Sequence, residues 1–113
     1  MIYEIVISDQ ADADLRGVYE HIAFELLSPD HAARQLERLE QHIVKLEAFP
    51  ERYRLYEREP WRSRGLRVMS VDRYLIFYIT NLNMGTVTII RVLYAGRDID
   101  DQLKDQEYSY FCD

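Results

Sequence analysis

Cysteine is almost absent from this sequence. The single Cys112 excludes an internal disulfide and any zinc site built on cysteine. A reducing, cytoplasmic setting is the simplest expectation. Glycine and proline are also scarce, four and three residues, and the four glycines form no phosphate-binding loop. Low-complexity segments, repeats and interdomain linkers are missing. No stretch approaches the roughly 18 apolar residues that a membrane span requires. The opening Met1-Ile2-Tyr3-Glu4-Ile5-Val6-Ile7-Ser8 has no basic segment and reads as a strand, not a signal peptide. The three histidines, His21, His31 and His42, lack the spacing of metal ligands. We therefore expect no metal and no cofactor.

What is present suits one globular domain spanning residues 1–113. Hydrophobic residues make up 48% of the chain, enough for a core and too many for a disordered segment. The net charge of −6 is unevenly placed. Residues 1–50 hold ten acids against four bases, whereas residues 51–73 hold seven arginines against four acids. From Asp98 onward one lysine faces six acids. The acidic total argues against a general nucleic-acid coat but leaves room for one basic face.

Periodicity orders the elements. Residues 3–8 form a first strand. Ser8 is a suitable N-cap, and Asp9 favours the helix dipole. Ala11, Leu15, Val18, Ile22 and Leu26 then make one helical stripe, which Gly17 weakens by about 1 kcal/mol relative to alanine. Ser28-Pro29-Asp30 restarts the chain as a second helix. Its stripe is Ala33, Leu36, Leu39, Ile43 and Leu46, and Phe49-Pro50 closes it. Residues 51–65 lack a period and read as a loop. Residues 66–71, 74–80 and 86–93 read as three strands, the middle one central because it is nearly continuous in aromatic and β-branched residues. The order β-α-α-β-β-β predicts an α+β fold, with an antiparallel helical hairpin on one face of a four-stranded, mainly antiparallel sheet. The other face should carry the remaining polar groups, and function with them.

Several segments together resemble the RelE/ParE toxins. They are Leu66-Arg67, then six residues, then Tyr74-Leu75-Ile76-Phe77-Tyr78, a turn, and Ile89-Ile90-Arg91-Val92-Leu93-Tyr94-Ala95-Gly96-Arg97-Asp98. Upstream, Ser8 ends a strand, Ala13-Asp14-Leu15 lies on a helix, Pro29 and Ala32 open a second helix, and Leu46 to Pro50 closes it. The resemblance spans all but the acidic residues 98–113. It implies the toxin of a type II toxin–antitoxin module, a growth inhibitor tied to plasmid stabilisation and silenced by a cognate antitoxin. RelE-like members cut mRNA on the ribosome without a metal, and ParE-like members poison DNA gyrase.

Metal-free RNA cleavage needs a base, an acid and cations for the phosphorane. Nuclease members of this resemblance often set an arginine where Tyr74 stands and a histidine where Tyr94 stands. Arg73 would point to the opposite face from Tyr74, and a tyrosine, with a pKa of about 10, is a poor base at neutral pH. Tyr74, Tyr94 and the acidic balance favour the ParE-like branch. The alternatives are a ribosome-dependent mRNA endonuclease using Arg67, Tyr94 and Arg97, or a degenerate member that binds antitoxin without toxicity. Arg64, Trp61, Tyr74 and Arg91 are the candidate binding residues. Arg67, Arg91 and Arg97 could bind phosphate or an acidic protein, or pair with Asp72, Asp98 or the acidic tail. The basic and aromatic loop suits a protein contact or a roof over the core. A groove between hairpin and sheet should await a partner's helix or strand.

Overall fold

The computed structural model of the protein describes residues 2–96 and 98–104. Its elements are β1 (Glu4–Ile7), α1 (Asp9–Glu20), α2 (Pro29–Val44), β2 (Arg67–Val71), β3 (Tyr74–Asn81), β4 (Thr86–Tyr94) and α3 (Ile99–Lys104). The sheet order is β1-β4-β3-β2. β1 runs parallel to β4, and the other two pairings are antiparallel, so the sheet is mixed.

Ser8 acts at two places at once. Its Oγ accepts from the Ala11 amide at 3.1 Å, capping α1, and donates to the Ile90 carbonyl at 3.1 Å. The hydroxyl thus satisfies one helix donor and one strand acceptor where the chain leaves the sheet. α1 buries Ala11, Leu15 and Val18. It then widens into a π turn over His21–Glu25. The extra residue of a π turn rotates whatever follows. Ile22 and Ala23 stay buried, but Leu26, expected on the same stripe, is 59% exposed. Leu27 follows at φ +53°, a left-handed conformation that costs a leucine on the order of 1 kcal/mol.

α2 begins with Pro29 in its first turn. Ser28 accepts the Ala32 amide through its backbone carbonyl at 3.0 Å, and its side chain makes no capping bond. Ala32, Leu39 and Ile43 face inward with Leu36 beside them, and Ala33 faces solvent. The buried stripe therefore begins one residue earlier than its periodicity suggested. A short 3₁₀ turn over Lys45–Glu47 buries Leu46.

The hairpin covers one face of the sheet through Met69, Val71, Ile76, Tyr78, Val87, Ile89 and Val92. The opposite face is not polar. Trp61, Leu66, Val68, Phe77, Ile90, Leu93 and Leu103 form a second core there. Two segments roof it. Residues 54–56 run beside β2, with the Tyr56 amide donating to the Leu66 carbonyl at 2.7 Å and the Val68 amide to the Arg54 carbonyl at 3.1 Å. α3 adds Leu103, which is fully buried. The expectation of a functional polar face opposite the hairpin is corrected by this layer. A sheet whose strands are apolar on both faces needs two covers, and the irregular loop supplies the second.

Two pieces of local geometry shape the far end of the sheet. The turn between β2 and β3 sets Asp72 at φ +56°. In β4, Phe77 pairs with Arg91 and Tyr78 with Ile89, so Ile90 is the extra residue of a bulge. No described helix is long and apolar enough to cross a membrane.

Candidate functional site

β4 is longer than β1. Their pairing ends at Ile7 opposite Ile89, yet β4 continues to Tyr94. Beyond β1 the open lane is bordered by α1 and the π turn. A groove of about 1070 Å³ fills this region. One wall is α1 and the π turn, with Asp14, Gly17, Glu20, His21, Phe24, Glu25 and Leu26. The other is the end of the sheet, with Asp72, Arg73, Tyr74 and Arg91 through Tyr94. Phe24, Leu26 and Leu27 stand exposed at the hairpin tip, an apolar rim of the kind that marks a contact surface.

Asp14 organises the root of the groove. Its carboxylate accepts from Arg91 Nε at 2.7 Å, Arg91 Nη2 at 2.9 Å and the Val92 amide at 2.9 Å. The last bond replaces one that a longer β1 would have made. Arg91 also donates to the Gln102 carbonyl at 3.1 Å, so it ties α1, β4 and α3 together. At 6% exposure it is a buried charge with a bidentate partner. Its partner is Asp14, not the Asp72, Asp98 or tail carboxylates that the sequence suggested. Asp72 belongs to Arg38, whose Nε and Nη2 donate at 2.9 and 3.1 Å, and to Gln35 at 2.9 Å. Those bonds, Arg38 first, hold the Asp72 carboxyl below its usual range.

The candidate residues do not meet in one place. Tyr74 and Tyr94 do meet: they are cross-strand partners with edge-to-face rings 5.8 Å apart, on the groove wall. Tyr94 is 41% exposed. Arg67 lies elsewhere. Its Nη1 donates to the Glu51 and Tyr53 carbonyls at 3.1 and 2.7 Å, and its Nη2 is 3.5 Å from the Glu51 carboxylate. It fastens the loop to β2 and pairs with Glu51, not with Asp72, Asp98 or the tail. Trp61 is 3% exposed, inside the second core, and Arg64 lies over its ring at 6.0 Å. Arg97 lies outside the described residues.

Tyr56 in the loop and Tyr78 in β3 are held by specific acceptors. The Tyr56 hydroxyl donates to Asp100 at 2.6 Å, and Arg58 pairs with the same carboxylate at 3.1 Å. Burial, then the Asp100 hydrogen bond, pushes the Tyr56 phenol up to about 12. Tyr78 donates to the Pro50 carbonyl at 2.5 Å, and burial raises it to about 12 as well. Asp100, at the start of α3, thus meets the loop through Tyr56 and Arg58. The rest of the tail lies outside the described residues.

The sequence singled out neither Asp14 as the arginine's partner nor Gly17 as part of a wall. The one signal for Gly17 was its cost in a helix. A Cβ built there meets nothing within 4 Å, so no contact among the described residues requires a glycine.

A family model described as the ParE toxin of the type II toxin–antitoxin system parDE matches residues 5–99. The chain belongs to this family. Two solved structures are similar to this ParE-family chain. One is titled as the chromosomal ParDE system from P. aeruginosa, with TM-score 0.68 and 17% identity over 82% of this chain and 96% of that one. The other is titled as the toxin–antitoxin complex RelBE2 from Mycobacterium tuberculosis, with TM-score 0.64 and 19% identity over 83% and 92%. At such identities the likeness is one of fold. No curated protein matches by sequence.

Proposed function

We propose that this chain is a ParE-type toxin that arrests growth by binding DNA gyrase, and that its cognate antitoxin silences it by occupying the groove between the hairpin and the end of β4. The observation that carries the choice of target is the engagement of Arg67 and Arg91. A metal-free RNA cut needs cations free to follow the developing phosphorane charge. Arg91 is locked to Asp14 and Arg67 to the Glu51 and Tyr53 carbonyls, and the sheet face between them is roofed by an apolar core. Tyr94 sits across from Tyr74 with no described cation on its ring.

The antitoxin assignment is supported by the groove, its apolar rim of Phe24 and Leu26, and the exposed Leu27 beside them. The test is to induce the chain alone in bacteria and map mRNA ends by primer extension within minutes. Arrested growth with intact messages is the expected result. New ribosome-dependent cuts would make the chain a nuclease and would send mutagenesis to Arg67, Tyr94 and Arg97. Normal growth would make it a family member that binds antitoxin without toxicity.

A further inference from the structure

We propose that two copies of this chain pair edge to edge through β1, antiparallel and centred on Val6, so that two four-stranded sheets join into one of eight. The proposal is independent of the gyrase and antitoxin assignments. It begins from the two edges of the sheet, β1 and β2. The β2 edge is covered: Leu55 bridges Arg67, the Tyr56 amide donates to the Leu66 carbonyl, and the Val68 amide donates to the Arg54 carbonyl. On β1 the Glu4 amide donates to the Gly85 carbonyl at 2.8 Å and the Ser8 amide to the Ile89 carbonyl at 3.1 Å. Glu4, Val6 and Ser8 therefore turn their backbone groups to β4, and Tyr3, Ile5 and Ile7 turn theirs outward. The Tyr3 amide is spent on the Glu47 carbonyl at 2.8 Å. The amides and carbonyls of Ile5 and Ile7 bond no described residue.

Open strand edges invite pairing, and proteins blunt them with lysine, proline, a bulge or a covering loop. β1, Glu-Ile-Val-Ile, carries no lysine or proline, and Val6 and Ile7 are each 39% exposed. The open window is short. The Tyr3 bond closes it on one side of Val6, and Ser8, where α1 begins, closes it on the other. A long strand of another protein would run past both ends. A second copy presents the same short window. A two-fold axis through Val6 matches the two windows: Ile5 of each copy exchanges both of its bonds with Ile7 of the other, four bonds in all.

Side chains and charge choose the same register. Ile5 packs against the hairpin core. Ile5 and Ile7 of the two copies therefore meet on that side of the sheet, and Val6 meets its own copy on the other. Glu4, the one charged residue of β1, falls opposite Ser8 of the second copy. The two Glu4 residues then stand about 13 Å apart along the strands, beyond the screening length of about 8 Å at physiological salt. Centring the pair on Ile5 instead would bring the two Glu4 positions within two residues of each other. It would also set Ile7 against a Tyr3 amide that is already used.

The experiment uses the purified full chain. Wild type should sediment as a dimer that dissociates on dilution, and a monomer at every concentration overturns the proposal. Val6→Lys sets two cations face to face on the axis, so it should sediment as a monomer with an unchanged circular dichroism spectrum. A Val6→Lys dimer overturns the β1 pairing and places the interface elsewhere, as at the exposed Phe49 and Met84. The register is read by cross-linking in a Cys112→Ser background. Val6→Cys puts both thiols in a narrow pair whose Cα atoms lie about 4.5 Å apart, within reach of a disulfide. Glu4→Cys, on the same face, leaves them beyond it. Oxidised glutathione should cross-link Val6→Cys about tenfold faster than Glu4→Cys or more. Equal rates, a faster Glu4→Cys or no cross-link in either overturns the register. If these variants fail to fold, hydrogen exchange at the Ile5 and Ile7 amides of the wild type decides. Exchange that slows as concentration rises is expected, and exchange independent of concentration overturns the proposal.

Discussion

Replacing Asp14 by alanine should destabilise this protein strongly, because it strips a buried arginine of its partner. The carboxylate accepts three hydrogen bonds, two from Arg91 and one from the Val92 amide. The side chains of Arg91 and Asp14 are only 7% and 11% exposed, so water does little to screen the pair. Deleting one partner of a buried pair leaves the other charge stranded and costs about 3–5 kcal/mol. In a chain of this size that corresponds to a fall in melting temperature of roughly 12–20 °C. Urea unfolding of the Asp14→Ala variant, followed by circular dichroism, measures the loss. A companion Asp14→Ala/Arg91→Met variant removes both charges and should recover part of it. A loss under about 1 kcal/mol, or a double variant that loses the full sum of the two single changes, would refute the account of a coupled buried pair.

Other consequences are checked more simply. The one tryptophan is buried under the loop, so its fluorescence should be blue-shifted and resist iodide quenching until the protein unfolds. Tyr78→Phe removes the bond to the Pro50 carbonyl and should cost about 1–2 kcal/mol by denaturant unfolding. Tyr56 and Tyr78 both titrate near 12 when folded and near 10 when unfolded. Their contribution is thus complete below about pH 10 and is lost as pH rises toward 12. Absorbance titration should show these two phenols ionising late. Asp72 has a lowered carboxyl in the folded state, so its contribution is present above about pH 4 and fades as pH falls below it. Asp72→Asn should therefore flatten the acid limb of the stability profile.

Much of this architecture was legible in the residues because local chemistry and periodicity agreed. Ser8 before Asp9 marked a helix start, Pro29 marked the next, and the aromatic and β-branched run at Tyr74 to Thr80 marked the central strand. Where neighbours far along the chain decide the outcome, the pattern was silent. The π turn at His21–Glu25 turned Leu26 outward, and no short-range signal announces such an insertion. Residues 51–65 carry no period because they form only the end of a 3₁₀ turn, a bridge beside β2 and further turns, so their burial of Trp61 had to be seen in three dimensions. Of the candidate site, the sequence singled out Tyr74 and Tyr94, which do meet. Arg91 was visible as a charge in an apolar strand, but its partner Asp14 lies 77 residues away, beyond any local rule.

The central claim is a toxin that acts on gyrase and is relieved by its antitoxin. Purified chain should be added to gyrase, relaxed plasmid and ATP, with and without a cognate antitoxin. The account predicts that supercoiling stops when the chain is added and returns when the antitoxin is included. Undiminished supercoiling by a folded chain that still arrests growth would contradict it.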